Sequence, residues 1–140
     1  MKNIILISLV TLFINSSLVA SNNDLWPMLK ISYDMNLGLT FSVGLSILNY
    51  ERSTGKGIYV LASKGRKGSN ISFGALGAAG GFYGTYGLNR MKVNKDNNIS
   101  FWGLEMSTNF LLHYKIGLMN KNKLLKISDY KFNLAAGLGI

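Results

Sequence analysis

From Leu29 to Ile47 every odd position is apolar, and every even position is polar or glycine. A period of two puts all the apolar side chains on one face of an extended chain, whereas a helix would scatter them around its circumference. The pattern returns from Trp102 to Leu118 on even positions, and again in Tyr130, Phe132, Leu134, Ala136, Leu138 and Ile140. Between these runs lie stretches rich in Gly, Asn, Asp, Ser and Lys at 49–56, 64–69, 90–98 and 120–126. Such residues favour turns through positive φ and side-chain-to-backbone hydrogen bonds. The apolar runs are longer than the roughly 9–11 residues a tilted membrane strand needs. Folding the chain back near Asp34–Asn36, Ala78–Gly80 and Ser107–Asn109 gives about eight strands. Leaving it unfolded there gives about five, too few for one chain to close a membrane barrel. The expected fold is all-β, an antiparallel up-and-down β-barrel of about eight strands.

The first residues read differently. Met1-Lys2-Asn3 carries a positive charge, Ile4–Ile14 is an uncharged apolar run, and Leu18-Val19-Ala20-Ser21 offers small residues for cleavage. This is the layout of a secretory signal, and the apolar run is too short to cross a bilayer as a helix. Residues 1–20 are therefore expected to be a cleaved signal peptide and 21–140 a single barrel domain.

Which way the apolar face points depends on the opposite face. That face is built from Gly, Ser, Asn and Thr with few charges, as a narrow lumen requires. Aromatic residues (Trp26, Tyr33, Tyr50, Trp102, Tyr114, Tyr130) fall near segment ends, as in the girdles of membrane barrels. Apolar side chains outside and small polar ones inside is the arrangement lipid selects. The alternative is a soluble periplasmic or secreted barrel that holds an apolar ligand. The chain has no cysteine, so disulfides, thiolate metal sites and cysteine nucleophiles are excluded. Its net charge of +9 points to a polyanionic partner. Export argues against nucleic acid and favours anionic lipid. Eleven of the fifteen Lys and Arg residues sit in the four turn-like stretches, so the cations belong to strand ends.

On this pattern the mature chain resembles the small outer-membrane β-barrel proteins of Gram-negative bacteria. The likeness is sharpest in the last strand, Tyr130 to Ile140, with its alternate apolar residues running to the terminus. In the family that strand ends in an aromatic residue; here it ends in Ile140. The resemblance implies outer-membrane localisation and recognition of the last strand by the barrel assembly machinery. It also implies contact with outer-membrane lipid or lipopolysaccharide. A homo-oligomer follows only if one chain cannot close the barrel.

Candidate chemistry is sparse. His113, the single histidine, shares its phase with Glu105, Ser107, Asn109 and Lys115, and these five form an expected polar network in the lumen. A base-and-nucleophile reading, as in a lipid-modifying outer-membrane hydrolase, needs a serine within hydrogen-bond reach of His113. It also needs the chain to fold back, since Glu105 and His113 would lie about 26 Å apart on one strand at ~3.3 Å per residue. Glu105 and Lys115 are expected to pair, because buried charges need partners. One histidine and six acids form no credible metal cluster. The segment Phe73–Leu88 lacks the lysine of a phosphate loop and reads as glycine-rich strands with a tight turn, the alternative being a membrane helix packed through Gly77/Gly81 and Gly80/Gly84. Arg52, Lys56, Lys64, Arg66, Lys67, Arg90, Lys92 and Lys95 are candidate anionic-lipid contacts. An eight-strand barrel fills its own interior, which argues against a porin. The expected role is non-enzymatic, without cofactor: structural, adhesive or lipid-interacting.

Overall fold

The structure, a computed structural model, describes residues 23–94, 99–121 and 130–139. The expected signal peptide lies outside the described residues, as do Lys95 and the terminal Ile140. Seven extended segments follow one another: β1 (Asn23–Asp34), β2 (Gly38–Glu51), β3 (Thr54–Gly65), β4 (Gly68–Ala79), β5 (Phe82–Val93), β6 (Ile99–Asn120) and β7 (Tyr130–Gly139). Each pairs antiparallel with the next, and β7 returns to β1, closing a barrel.

β6 supplies two of the eight staves. Residues 99–109 pair with β5 and residues 111–120 pair with β7. The fold-back is visible in its glycines: a Cβ on Gly103 would lie 2.1 Å from Leu118 O, and one on Gly117 would lie 3.3 Å from Leu104 O. Leu111 makes the reversal at φ 58. The turn therefore falls at 110–112, slightly beyond the Ser107–Asn109 position read from the sequence. The other two fold-backs fall at 35–37 and at Gly80–Gly81. Both of those glycines have positive φ, 56 and 84, which a two-residue hairpin matched to strand twist requires.

The ladder register fixes the barrel's shape. A path perpendicular to the strands runs from Asp24 through Leu48, Gly57, Leu76, Thr85 and Ser107. It crosses the β6 fold-back to Lys115 and Ala135, and meets β1 again at Asp34, ten residues beyond its start. With eight staves, a rise of ~3.3 Å and a spacing of ~4.7 Å, that stagger tilts the strands by about 41° and gives a radius of about 8 Å. This lies within the tilt range of closed barrels and leaves room for side chains but no channel.

Twenty-nine large apolar side chains among the described residues are 41–69% exposed, most of them on the outer wall. They include Leu39, Phe41, Val43 and Ile47 on β2, and Tyr114, Ile116 and Leu118 on β6. From Leu39 to Ile47 the tilted strand climbs about 20 Å, so the apolar wall forms a band of that height. Leu37 departs from the alternation: it closes the first turn and is fully buried.

Inside, the barrel is layered, which the small-polar reading of the lumen does not anticipate. Met28, Leu48, Tyr59, Leu61 and Leu76 form an apolar plug toward one end. Leu37, Met91, Phe101 and Met119 form a second toward the other. Between them lies a polar belt. Glycines make space for these side chains: a Cβ on Gly87 would strike the Tyr59 hydroxyl at 2.7 Å and Phe73 O at 2.2 Å.

Candidate functional site

The polar belt is built from strand residues whose phase turns them inward. Its centre is Lys115, whose Nζ lies 2.9 Å from Asp34 Oδ2 and 3.9 Å from Glu105 Oε2. The expected Glu105–Lys115 pair is thus present, but as the longer of two contacts. Asp34, on β1, is the closer partner. Its Oδ1 accepts the backbone N–H groups of Asn36 and Leu37, and its Oδ2 accepts Asn133 Nδ2 at 2.9 Å. One carboxylate therefore caps the first turn and joins three staves.

That matters because the β1–β7 seam is short. Among the described residues β1 meets β2 along twelve rungs but β7 along five, Lys30–Asp34 against Ala135–Gly139. Among the described residues, 23–29 of β1 have no β7 partner, and Pro27 sits there, where an edge tolerates a missing N–H. The seam is reinforced by Met35 N–H donating to Leu134 O and by Asn36 Nδ2 donating to Asn133 Oδ1 at 2.8 Å.

Glu105 receives Asn89 Nδ2 at 2.9 Å and Asn70 Nδ2 at 3.4 Å. Turning either amide would set a carbonyl oxygen against the carboxylate, so the charge fixes both orientations. Lys30, 2% exposed, lays its ammonium over the Tyr83 ring, 5.6 Å from the centroid. The belt's charged groups are two lysines and two carboxylates, so they balance.

His113 Nδ1 lies 2.6 Å from Asn109 Oδ1. Asn109 Nδ2 reaches on toward Ser107 Oγ at 3.4 Å, and Ser107 in turn bonds Thr85 at 2.6 Å. The five expected lumen residues are all inward-facing. They form two groups, Glu105 with Lys115 and Ser107–Asn109–His113. The asparagine stands between His113 and Ser107, so this serine does not receive the imidazole directly. Among the described residues no three His, Cys, Asp or Glu side chains are placed to hold a metal ion. Asp34, Lys30, Asn70, Asn89 and Asn133 extend the network beyond the residues singled out from sequence. Their only signal there is an inward phase.

The candidate lipid contacts divide between the two ends. Arg52 and Lys56 are exposed at the end where connections are tightest, 52–53, 80–81 and 110–112. There a hollow of about 1180 Å³, bounded by the unpaired part of β1, is lined by Trp26, Leu48, Tyr50, Phe82 and Phe110. Phe82 and Phe110 stack with centroids 4.2 Å apart. Lys64, Arg66, Lys67, Arg90 and Lys92 are exposed at the opposite end, on β3, the β3–β4 turn and β5.

These features define a closed eight-stave antiparallel barrel with an apolar exterior and a plugged, charge-balanced polar interior. No family model matches the chain, and no curated protein or solved structure matches it either.

Proposed function

We propose that this is a small outer-membrane β-barrel protein with a structural, adhesive or lipid-interacting role and no catalytic one. The observation that carries the reading is the continuous apolar outer wall around a polar interior. Water-soluble monomers seldom expose contiguous apolar patches beyond several hundred Å². A bilayer covers such a wall, and closure leaves few strand edges unpaired within it. The tilt of about 41° and the apolar band of about 20 Å agree with spanning barrels. The greater number of residues between β5 and β6 and between β6 and β7 supports the reading that the basic end faces outward and the tight turns face the periplasm. The two plugs argue against solute passage. The soluble-carrier alternative would need its apolar side chains turned inward around a ligand. The hydrolase alternative would need a nucleophile on His113.

Fractionation of cells expressing the full chain tests the proposal. The folded protein should sediment with outer membranes and run faster on gels unheated than boiled. Release by osmotic shock as a detergent-independent protein would overturn it.

A further inference from the structure

We infer that the outer wall across β3 to β6, at the basic end, is a binding strip for the phosphate-bearing headgroup of an anionic lipid. The inference rests on the membrane reading above and adds a located site and a ligand class to it.

The ladder sets the residues side by side. Lys64 is the rung partner of Ser69, Ser69 of Lys92, and Lys92 of Ser100. One row across four strands thus alternates ammonium, hydroxyl, ammonium, hydroxyl, with neighbours about 5 Å apart. Arg90, two residues below Lys92, stands opposite Trp102, its guanidinium 5.1 Å from the ring centroid. Stacking on an indole holds that fork in place for bidentate contact with phosphate oxygens.

Arg66 and Lys67 complete the strip from a turn whose backbone is pinned. Arg66 N–H donates to Leu39 O, Lys67 N–H to Leu37 O, and Lys67 O accepts from Asn94 N–H. Among the described residues no acid shares this sector. Asp34 and Glu105 are in the lumen, and Asp24 and Glu51 lie at the far ends of β1 and β2. Asp96 and Asp129 are outside the described residues.

A lipid, rather than a free phosphate compound, is indicated by what lies directly below. Ile71, Phe73, Leu88 and Leu104 face outward beneath the row and offer an apolar surface for acyl chains. Each cation near an anionic surface contributes about fivefold in affinity. Lys64, Arg90 and Lys92 together therefore set a clear preference for a phosphomonoester lipid over a zwitterionic one.

The test uses Trp102 as reporter. Trp26 is the only other tryptophan, so Trp26→Phe leaves one indole, at the strip. This protein is refolded into phosphatidylcholine vesicles containing phosphatidic acid with brominated chains, and quenching reports lipid occupancy beside Trp102. Severalfold preference for phosphatidic acid over brominated phosphatidylcholine is expected, falling to near unity in Lys64→Gln/Arg90→Gln/Lys92→Gln. Arg52→Gln/Lys56→Gln at the opposite end should leave it unchanged. The unheated gel mobility confirms that each variant is folded. If the triple variant does not fold, salt titration of the parent decides, since the preference must fall steeply with ionic strength.

Equal quenching by both lipids in a normally inserted barrel would overturn the strip and leave the membrane reading intact. Failure to insert into any vesicle would overturn the membrane reading itself. Displacement by soluble pyrophosphate, without preference among lipids, would reassign the strip to a free phosphate ligand.

Discussion

Replacing Asp34 by Asn removes one negative charge from the lumen and leaves the side chain's size nearly unchanged. The carbonyl oxygen can still accept the Asn36 and Leu37 N–H groups, so the turn cap persists. What is lost is the 2.9 Å ion pair with Lys115, whose side chain is 9% exposed against 1% for Asp34, together with the Asn133 Nδ2 hydrogen bond to Oδ2, since an amide nitrogen there cannot accept it. Breaking a buried pair by removing one partner costs about 3–5 kcal/mol, chiefly because the remaining charge is left uncompensated. Glu105, 3.9 Å from the same ammonium, still compensates part of it, which places the loss near the lower figure, about 3 kcal/mol. That is over a hundredfold in the unfolding equilibrium. The damage falls on the five-rung β1–β7 seam, where few other contacts can absorb it. Denaturant unfolding in lipid vesicles, followed by the unheated-versus-boiled gel shift, measures the change. Adding Lys115→Met should recover part of the loss, because it removes the stranded ammonium. A change below about 0.5 kcal/mol for Asp34→Asn, or strict additivity of the two substitutions, would refute the role given to this pair.

Other substitutions probe other parts of the account. Gly44→Ala and Gly74→Ala put a methyl group 2.2 Å from the carbonyl oxygens of Val60 and Tyr86, and should each lower vesicle unfolding stability by about 2 kcal/mol or more. Gly77→Ala, with nothing within 4 Å, should be close to neutral in the same assay. Arg52 holds φ 59 in a two-residue turn, so Arg52→Gly should raise the unfolding midpoint by a margin of about 1 kcal/mol. His113→Ala strips the partner from Asn109 and should lower stability by about 1–2 kcal/mol. Any phospholipase or lipid A hydrolase signal of the preparation should be unchanged, and its loss would reopen the enzymatic reading.

Much of this architecture is legible in the sequence because strand faces obey a local rule. Alternation at Leu29–Ile47 and 102–118 names the outward side chains, and the excess length of those runs shows that each must fold back. Leu37 escapes the rule because a turn residue answers to the packing of the barrel end. The apolar plugs escape it because Met91, Phe101 and Met119 take inward positions where the strand pattern leads one to expect small polar groups, and only closure of the barrel brings the distant Leu37 against them. The Asp34–Lys115 pair is hidden for the same reason. Its members lie on β1 and β6, and only closure of the barrel brings them together. Glu105 and His113 share an inward phase, but the network partner of each depends on rungs between strands, which the one-strand pattern does not specify.

The absence of cysteine makes the central claim directly measurable, since single cysteines can be introduced without background. With the barrel refolded in vesicles, Ile31→Cys, Val43→Cys, Leu88→Cys and Ile116→Cys should react many times more slowly with a water-soluble maleimide than Ser53→Cys at a turn. Wall and turn positions reacting at equal rates in a folded barrel would mean that the outer face meets water, and the membrane account would be wrong.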